Sequence, residues 1–439
     1  MTAPPLDTRV IWAIALPAMV TNVATALIGL GDMWIVGRLD DAATQGAVDV
    51  GARLFAVLFT VMNFLKTGTT GLVAQAGTRN GARAQGELLL RGIAVALCIA
   101  LVLLLLKPVL MPLLLSALGA KGEVLAAART YADIRYWTAP GVLTNLALVG
   151  YLVGRRRMKA VLLFEVAYNG LNVALGLWFV LGLDWGIAGV GWSSFIAEYA
   201  KVAAVGLFVA RTLPDGLLQG ASLRGVLGWG NLRPFLSVNR DLFLRTLVLM
   251  VALAALTRLS AERGAVVLAA NGILYQMFVL TALLLDGFEN AAQVLNGERA
   301  GAADRDGFRR YVGAILLRGA GVAVLVALGF ALLADPILAS FAATPQVAAE
   351  AQAMAIWLVL IPFAGVAGFV FDGVYVGASW TRALLATMAI SAAVFALALW
   401  LSWPLGNHGL WASFVLFLAV RAGLQALWLP RAIRRTFPI

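Results

Sequence analysis

The sequence predicts an all-α integral membrane protein of twelve transmembrane helices arranged as two pseudo-symmetric six-helix lobes. Three observations carry that expectation. Of the 439 residues, 62% are hydrophobic and only 13% are charged, more apolar surface than a water-soluble chain of this length needs. Apolar runs of about twenty residues, the length that crosses a bilayer, recur from one end to the other. The Lys and Arg residues sit mostly in the short gaps between those runs, as they do in the loops of membrane proteins.

The first run, Val10 to Val36, is too long for the apolar segment of a cleavable signal peptide, and MTAPPLDTRV lacks the basic start of one. It is read as the first span. Gly46 to Val73, Leu88 to Leu106, Ala128 to Val153, Ala160 to Leu183 and Gly186 to Val209 complete a first set of six. A more polar stretch rich in Gly, Leu and Arg then runs from Arg211 to Arg233. The second set is Pro234 to Leu259, Gly264 to Leu295, Val312 to Leu333, Ala349 to Val376, Ala383 to Trp403 and Gly409 to Leu429. The lobes are therefore expected at residues 1–218 and 219–439.

Counting charges by side orients the chain. Eighteen loop Lys and Arg, including the cluster Arg155, Arg156, Arg157 and Lys159, fall on one face, against six on the other, among them Lys107 and Lys121. Both termini are expected in the cytoplasm, on the basic face. The formal charge of +11 is thus a loop property. A nucleic-acid partner, which would need a folded basic surface, is not expected.

The halves also resemble each other. Gly77-Thr78-Arg79-Asn80-Gly81-Ala82 returns 220 residues later as Gly297-Glu298-Arg299-Ala300-Gly301-Ala302. Pro140 with Gly154 returns as Pro362 with Gly377, 222 and 223 residues on. Six helices per half leave both halves facing the same way, so the expected axis lies along the membrane normal, with a substrate cavity between the halves.

A charged side chain near the bilayer centre costs about 3 kcal/mol on insertion scales, so each one asks for a role. Asp32 stands in Leu30-Gly31-Asp32-Met33, in the outer half of the first span. It is either an interfacial carboxylate or a carboxyl facing a cavity, able to carry a proton. Asp49 and Arg53 on the second span are four apart and can pair. Asn145, Glu165, Asn169, Asn172, Glu198 and Lys201 mark the fourth to sixth spans. Asn169 and Asn172 share a face, and Glu165 is placed near the cytoplasmic arginines as a surface ion pair. In the second half, Asn239, Arg240, Asp241 and Arg245 lie on the seventh span, where Asp241 and Arg245 are spaced to neutralise each other. Asp286 and Glu289 follow on the eighth and Asp372 on the tenth, enough for a second ion or substrate site. Gly71, Gly287, Gly373 and Gly377 allow close helix contact, and Pro17, Pro140 and Pro362 allow kinks. His408 is the only histidine and Cys98 the only cysteine, so a His or Cys metal cluster, a disulfide and a cofactor are not expected. No Walker sequence or nucleophile elbow points to an enzyme.

These segments resemble the multidrug and toxic compound extrusion (MATE) family, and within it the DNA-damage-inducible F (DinF) branch. The resemblance is carried by Leu16-Pro17 with Gly31-Asp32 and Val36-Gly37-Arg38-Leu39, and by Gly71-Leu72-Val73-Ala74-Gln75-Ala76-Gly77. It continues in Asn239-Arg240-Asp241 with Arg245-Thr246, in Leu285-Asp286-Gly287-Phe288, and in Phe371-Asp372-Gly373 with Gly377. It implies a multi-pass protein of the bacterial inner membrane that exports small amphipathic, often cationic, organic molecules against an inward flow of protons or sodium. No cofactor beyond the coupling ion is implied, and a monomer is expected. Asp32 matches the family's coupling carboxylate, and Asn145 and Asn172 match asparagines of the same lobe. Where an aspartate is expected four residues after Asn172 stands Gly176, which favours a proton on Asp32 over a multi-carboxylate sodium site. Gln293 also replaces an expected acid. Asp241 and Asp372 lie on helices that build a cation site in another branch, so sodium remains the alternative ion. The competing reading is a flippase of lipids or lipid-linked oligosaccharides in the same superfamily. A major facilitator transporter fits less well, because Gly77 to Gly81 lacks the aspartate its loop carries.

Overall fold

The computed structural model describes residues 7–36, 42–119, 121–214, 217 and 223–438, with backbone alone for 25–36, 42–45 and 223–224. No strand occurs among the described residues. The helices are α1 (Arg9–Val36), α2 (Ala42–Met62), α3 (Phe64–Arg79), α4 (Gly81–Ala117), α5 (Gly122–Arg135), α6 (Ala139–Gly154), α7 (Met158–Leu177) and α8 (Gly186–Ala210). They continue as α9 (Trp229–Glu262), α10 (Ala265–Gly301), α11 (Arg305–Phe341), α12 (Pro345–Ala353), α13 (Ala355–Gly377), α14 (Thr381–Leu401) and α15 (Gly406–Thr436).

Ten runs among these are long and apolar enough to cross a membrane. The remaining two spans of the expected twelve are α1 and the pair α5–α6, which a 3₁₀ turn at Tyr136–Thr138 divides. Pro140 therefore starts a helix, where its missing N–H costs nothing, instead of kinking one as expected; Pro17 and Pro362 do lie inside helices. Several helices outrun the apolar stretches that signal them. Both α4 and α11 have 37 residues, about 55 Å at 1.5 Å per residue, so they extend well past a hydrocarbon core of roughly 30 Å.

By contacts the described residues form two compact units, Val20–Leu236 and Met1–Met19 with Ser237–Ile439. In the first, α6 is the central helix, packed on α3, α4 and α8. In the second, α13 holds that place, packed on α10, α11 and α15. Both central helices approach a neighbour through paired glycines. A Cβ on Gly150 or Gly154 would come within 2.6 Å of the Lys66 carbonyl oxygen or 2.8 Å of that of Thr70. A Cβ on Gly373 or Gly377 would collide with the carbonyls of Glu289 or Gln293. All four residues of the second contact lie 223 positions after their counterparts in the first.

The loops repeat as well. Left-handed residues occur at Gly81 and Ala303, Arg156 and Ser379, and Asp184 and Gly406, at separations of 222 or 223. The loop strings that match at an offset of 220 are thus two residues out of structural step, because α10 runs further before its turn. On the outside of α4, Leu101, Leu105, Val109 and Leu113 are exposed, and on α11 so are Leu317, Leu325, Leu328 and Leu332. Stripes of this size suit lipid and not water.

Candidate functional site

Apolar helices can hold a charge only by pairing or hydrogen-bonding it, so the buried ionisable groups locate the sites. In the unit that contains α13, Asp372 is 1% exposed. Its Oδ2 accepts from Arg245 Nη2 of α9 and lies 3.3 Å from Arg421 Nη2 of α15. Its Oδ1 accepts from Gln425 Nε2 at 2.6 Å. Arg421 and Gln425 are four residues apart and share the face of α15 that meets α13. Gly368 on α13 makes the room, since a Cβ there would sit 3.0 Å from Arg421 Nε. The Arg421 guanidinium lies 5.3 Å from the centre of the Phe369 ring, and Tyr375 donates to the Gln425 carbonyl at 2.6 Å. Two guanidiniums and an amide thus close around one carboxylate.

The expected Asp241–Arg245 pair does not form. Asp241, 2% exposed, binds Arg240 at 2.8 Å and accepts from Thr381 Oγ1 at 3.0 Å, while Arg245 reaches across to Asp372. Helical spacing puts Asp241 and Arg245 on one face, but Asp241 is already held by Arg240 and Thr381, and Arg245 joins Arg421 on the buried Asp372. Glu289, one turn beyond Asp286 on α10, interacts electrostatically with Asp286, Asp372 and Arg245. Asn290 Nδ2 donates back to the Asp286 carbonyl at 2.8 Å, and Asn239 and Gln293 are buried.

In the unit that contains α6, Asp32 lies on α1, in the backbone-only stretch, so its side chain falls outside the described residues. Asn145 on α6 is 3% exposed and donates through Nδ2 to Glu198 Oε1 on α8 at 2.5 Å. It does not bond to Asn169 or Asn172. Those two share α7, Asn172 buried and Asn169 half-buried. Glu165 is not tied to the cytoplasmic arginines as expected. It faces α8 and pairs with Lys201 at 2.6 Å, both largely buried, with the ammonium 4.7 Å from the centre of the Tyr168 ring. Asp49 and Arg53 pair at 3.0 Å on an exposed face.

The site residues passed over in the sequence are Arg421 and Gln425, whereas Glu198 and Glu289 were visible there without their partners. Arg421 carried a readable signal: it interrupts Phe417-Leu418-Ala419-Val420, far from either end of its span, with Gln425 one turn on. Among the described residues, no three His, Cys, Asp or Glu side chains gather as a metal site would require.

Comparison with known proteins agrees with this architecture. The MatE family model matches residues 17–178 and 242–400, one segment in each half. DNA damage-inducible protein F of Escherichia coli (strain K12) is 34% identical over 429 residues, covering 96% of this chain and 92% of that one. A probable multidrug resistance protein NorM of Chromobacterium violaceum is 25% identical over 470 residues, covering 98% and 95%. The crystal structure of a MATE protein in a bent conformation superposes with a TM-score of 0.87 at 19% identity, over 98% of this chain and 96% of that one.

Proposed function

Because the chain belongs to the MATE family, whose members are transporters and not enzymes, we propose that it is a proton-driven antiporter. It exports amphipathic, often cationic, organic compounds from the bacterial cytoplasm across the inner membrane by alternating access. The eighteen-to-six charge asymmetry supports cytoplasmic termini, and the protein acts as a monomer.

The choice of ion rests on Asp372. Sodium coupling in the unit around α13 would run through this carboxylate, yet both its oxygens are engaged by Arg245, Arg421 and Gln425. A sodium ion would have to displace two guanidiniums or add a third positive charge beside them, and in low-dielectric surroundings that repulsion is severe. The proton is assigned instead to the first-span carboxyl Asp32, the position that matches the family's coupling carboxylate, where proton and organic cation would compete for one negative charge. Such competition is the minimum antiport needs, because the outward-moving cation leaves only when a proton replaces it.

The test uses sodium-free proteoliposomes with a preset pH gradient and a fluorescent organic cation. Adding the cation should collapse the gradient, and Asp32→Asn should abolish the collapse. Transport by Asp32→Asn equal to wild type would refute the assignment of the proton. Activity that returns only with sodium would refute proton coupling.

A further inference from the structure

Among the buried carboxyls described in either unit, one stands apart by the company it keeps. Asp372 has two arginines, Asp241 has Arg240, Glu165 has Lys201, and Glu289 has Arg245 within electrostatic reach. Glu198 is 6% exposed and has only the neutral amide of Asn145. It lies at the middle of the 25-residue helix α8, and therefore near mid-membrane.

The cations on the elements packed against α8 do not reach it. On α2, Arg53 pairs with Asp49. On α5, Arg135 donates to Tyr131, Asp133 pairs with Lys107 of α4, and Arg129 and Glu123 are exposed. Tyr136 donates to the Leu103 carbonyl at 3.0 Å. Tyr151 of α6 accepts from Arg155, and Lys159 of α7 is exposed. On α8 itself Lys201 holds Glu165, and the adjacent Tyr199, an electrostatic neighbour of Glu198, donates to the Trp137 carbonyl.

The amide carries a second clue. Asn145 Oδ1 is buried with no hydrogen-bond partner, a costly vacancy for an acceptor in an apolar interior. A protonated Glu198 fills it. The amide N–H donates to Oε1 while the carboxyl O–H donates back to Oδ1, the reciprocal ring an acid and an amide form. Turning the amide over leads to the same place, since two oxygens 2.5 Å apart need a proton between them. Gly141 lets α6 close on this pair, its Cβ position lying 3.1 Å from Glu198 Cγ.

We propose that Glu198 is a proton-binding site of the transport cycle, with Asn145 as the positioning residue that holds the protonated form. Binding adds H⁺ to Oε2 and completes the ring. Release breaks the O–H···Oδ1 bond and leaves one negative charge with a single amide donor, a charge an organic cation can then neutralise. The inference rests on the proposed proton-coupled export for its place in the cycle, but proton binding itself can be read without transport.

The experiment is infrared difference spectroscopy of the whole protein in lipid nanodiscs, titrated in H₂O and D₂O, with and without a fluorescent organic cation. A protonated-carboxyl band should be present, should vanish in Glu198→Gln, should shift in Asn145→Leu, and should be lost when the cation binds. In proteoliposomes Glu198→Gln should weaken cation binding, make it independent of pH, and lose gradient-driven accumulation. A spectrum unchanged by Glu198→Gln would overturn the proposal. So would a band that ignores both pH and cation, because that proton would be a fixed structural one. A titrating band in a wild type that moves no protons would uphold the site and refute proton-coupled export instead.

Discussion

The charge cluster around Asp372 shows how little a single residue's position says about its partner. Asp241 and Arg245 have the spacing of a helix pair, yet each binds elsewhere, and the residue that completes the clamp, Arg421, lies 49 positions beyond Asp372 in a different span. Sequence periodicity reports which residues share a face of one helix. It is blind to the carboxylate on the next helix, which decides the pairing. The clamp makes a prediction of its own. Removing one member of a buried ion pair costs about 3–5 kcal/mol, because the other charge is left uncompensated. Asp372→Leu strands two guanidiniums, whereas Arg421→Met leaves Asp372 paired with Arg245. Thermal unfolding in detergent should therefore show a larger loss of Tm for Asp372→Leu than for Arg421→Met. Exchanging choline for sodium should leave the wild-type Tm unchanged. A sodium-dependent rise that Asp372→Leu removes would mean the guanidiniums yield to a metal ion.

At the scale of the element, the packing of the central helices was partly legible. Gly287, Gly373 and Gly377 are close-contact positions as expected, with Gly287 against the Ala15 carbonyl and Met19 of α1. Their partners were not legible, because a glycine states that something comes near without saying what. The division of the fourth span was also hidden, since its apolar run is continuous while the 3₁₀ turn at Tyr136–Thr138 depends on packing. The glycine contacts allow a graded test. Gly373→Leu drives a side chain into the Glu289 backbone and should cost upwards of about 1–3 kcal/mol, the usual range for overpacking. Gly313→Ala and Gly321→Ala on α11 meet nothing within 4 Å and should be neutral or slightly stabilising, as helix propensity favours Ala. Equal losses at all three positions in a chemical unfolding series would mean that the close approach of α13 to α10 carries no particular energy.

For the molecule as a whole, the span count and the internal repeat were readable from apolar runs and recurring glycines, because both follow from local composition. The loops carry the repeat most clearly. Arg156 and Ser379 adopt the same left-handed turn 223 residues apart, although neither residue type favours it, so tertiary constraint and not local preference holds the two turns alike. The same loops test the topology. Cys98 is the only cysteine, and Cys98→Ala gives a background with no thiol to label. Single substitutions Lys121→Cys and His408→Cys would place exposed thiols on the sparsely charged face, the first in a loop and the second in the first turn of α15, and Arg156→Cys and Ala303→Cys would place them in exposed loops on the basic face. A membrane-impermeant maleimide added to intact cells should label the first pair and spare the second until the membrane is opened. Labelling of the opposite pair would invert the protein in the membrane. The cytoplasmic placement of both termini would then fall, whereas the direction of an exchange driven by a proton gradient is set by the gradient and would stand.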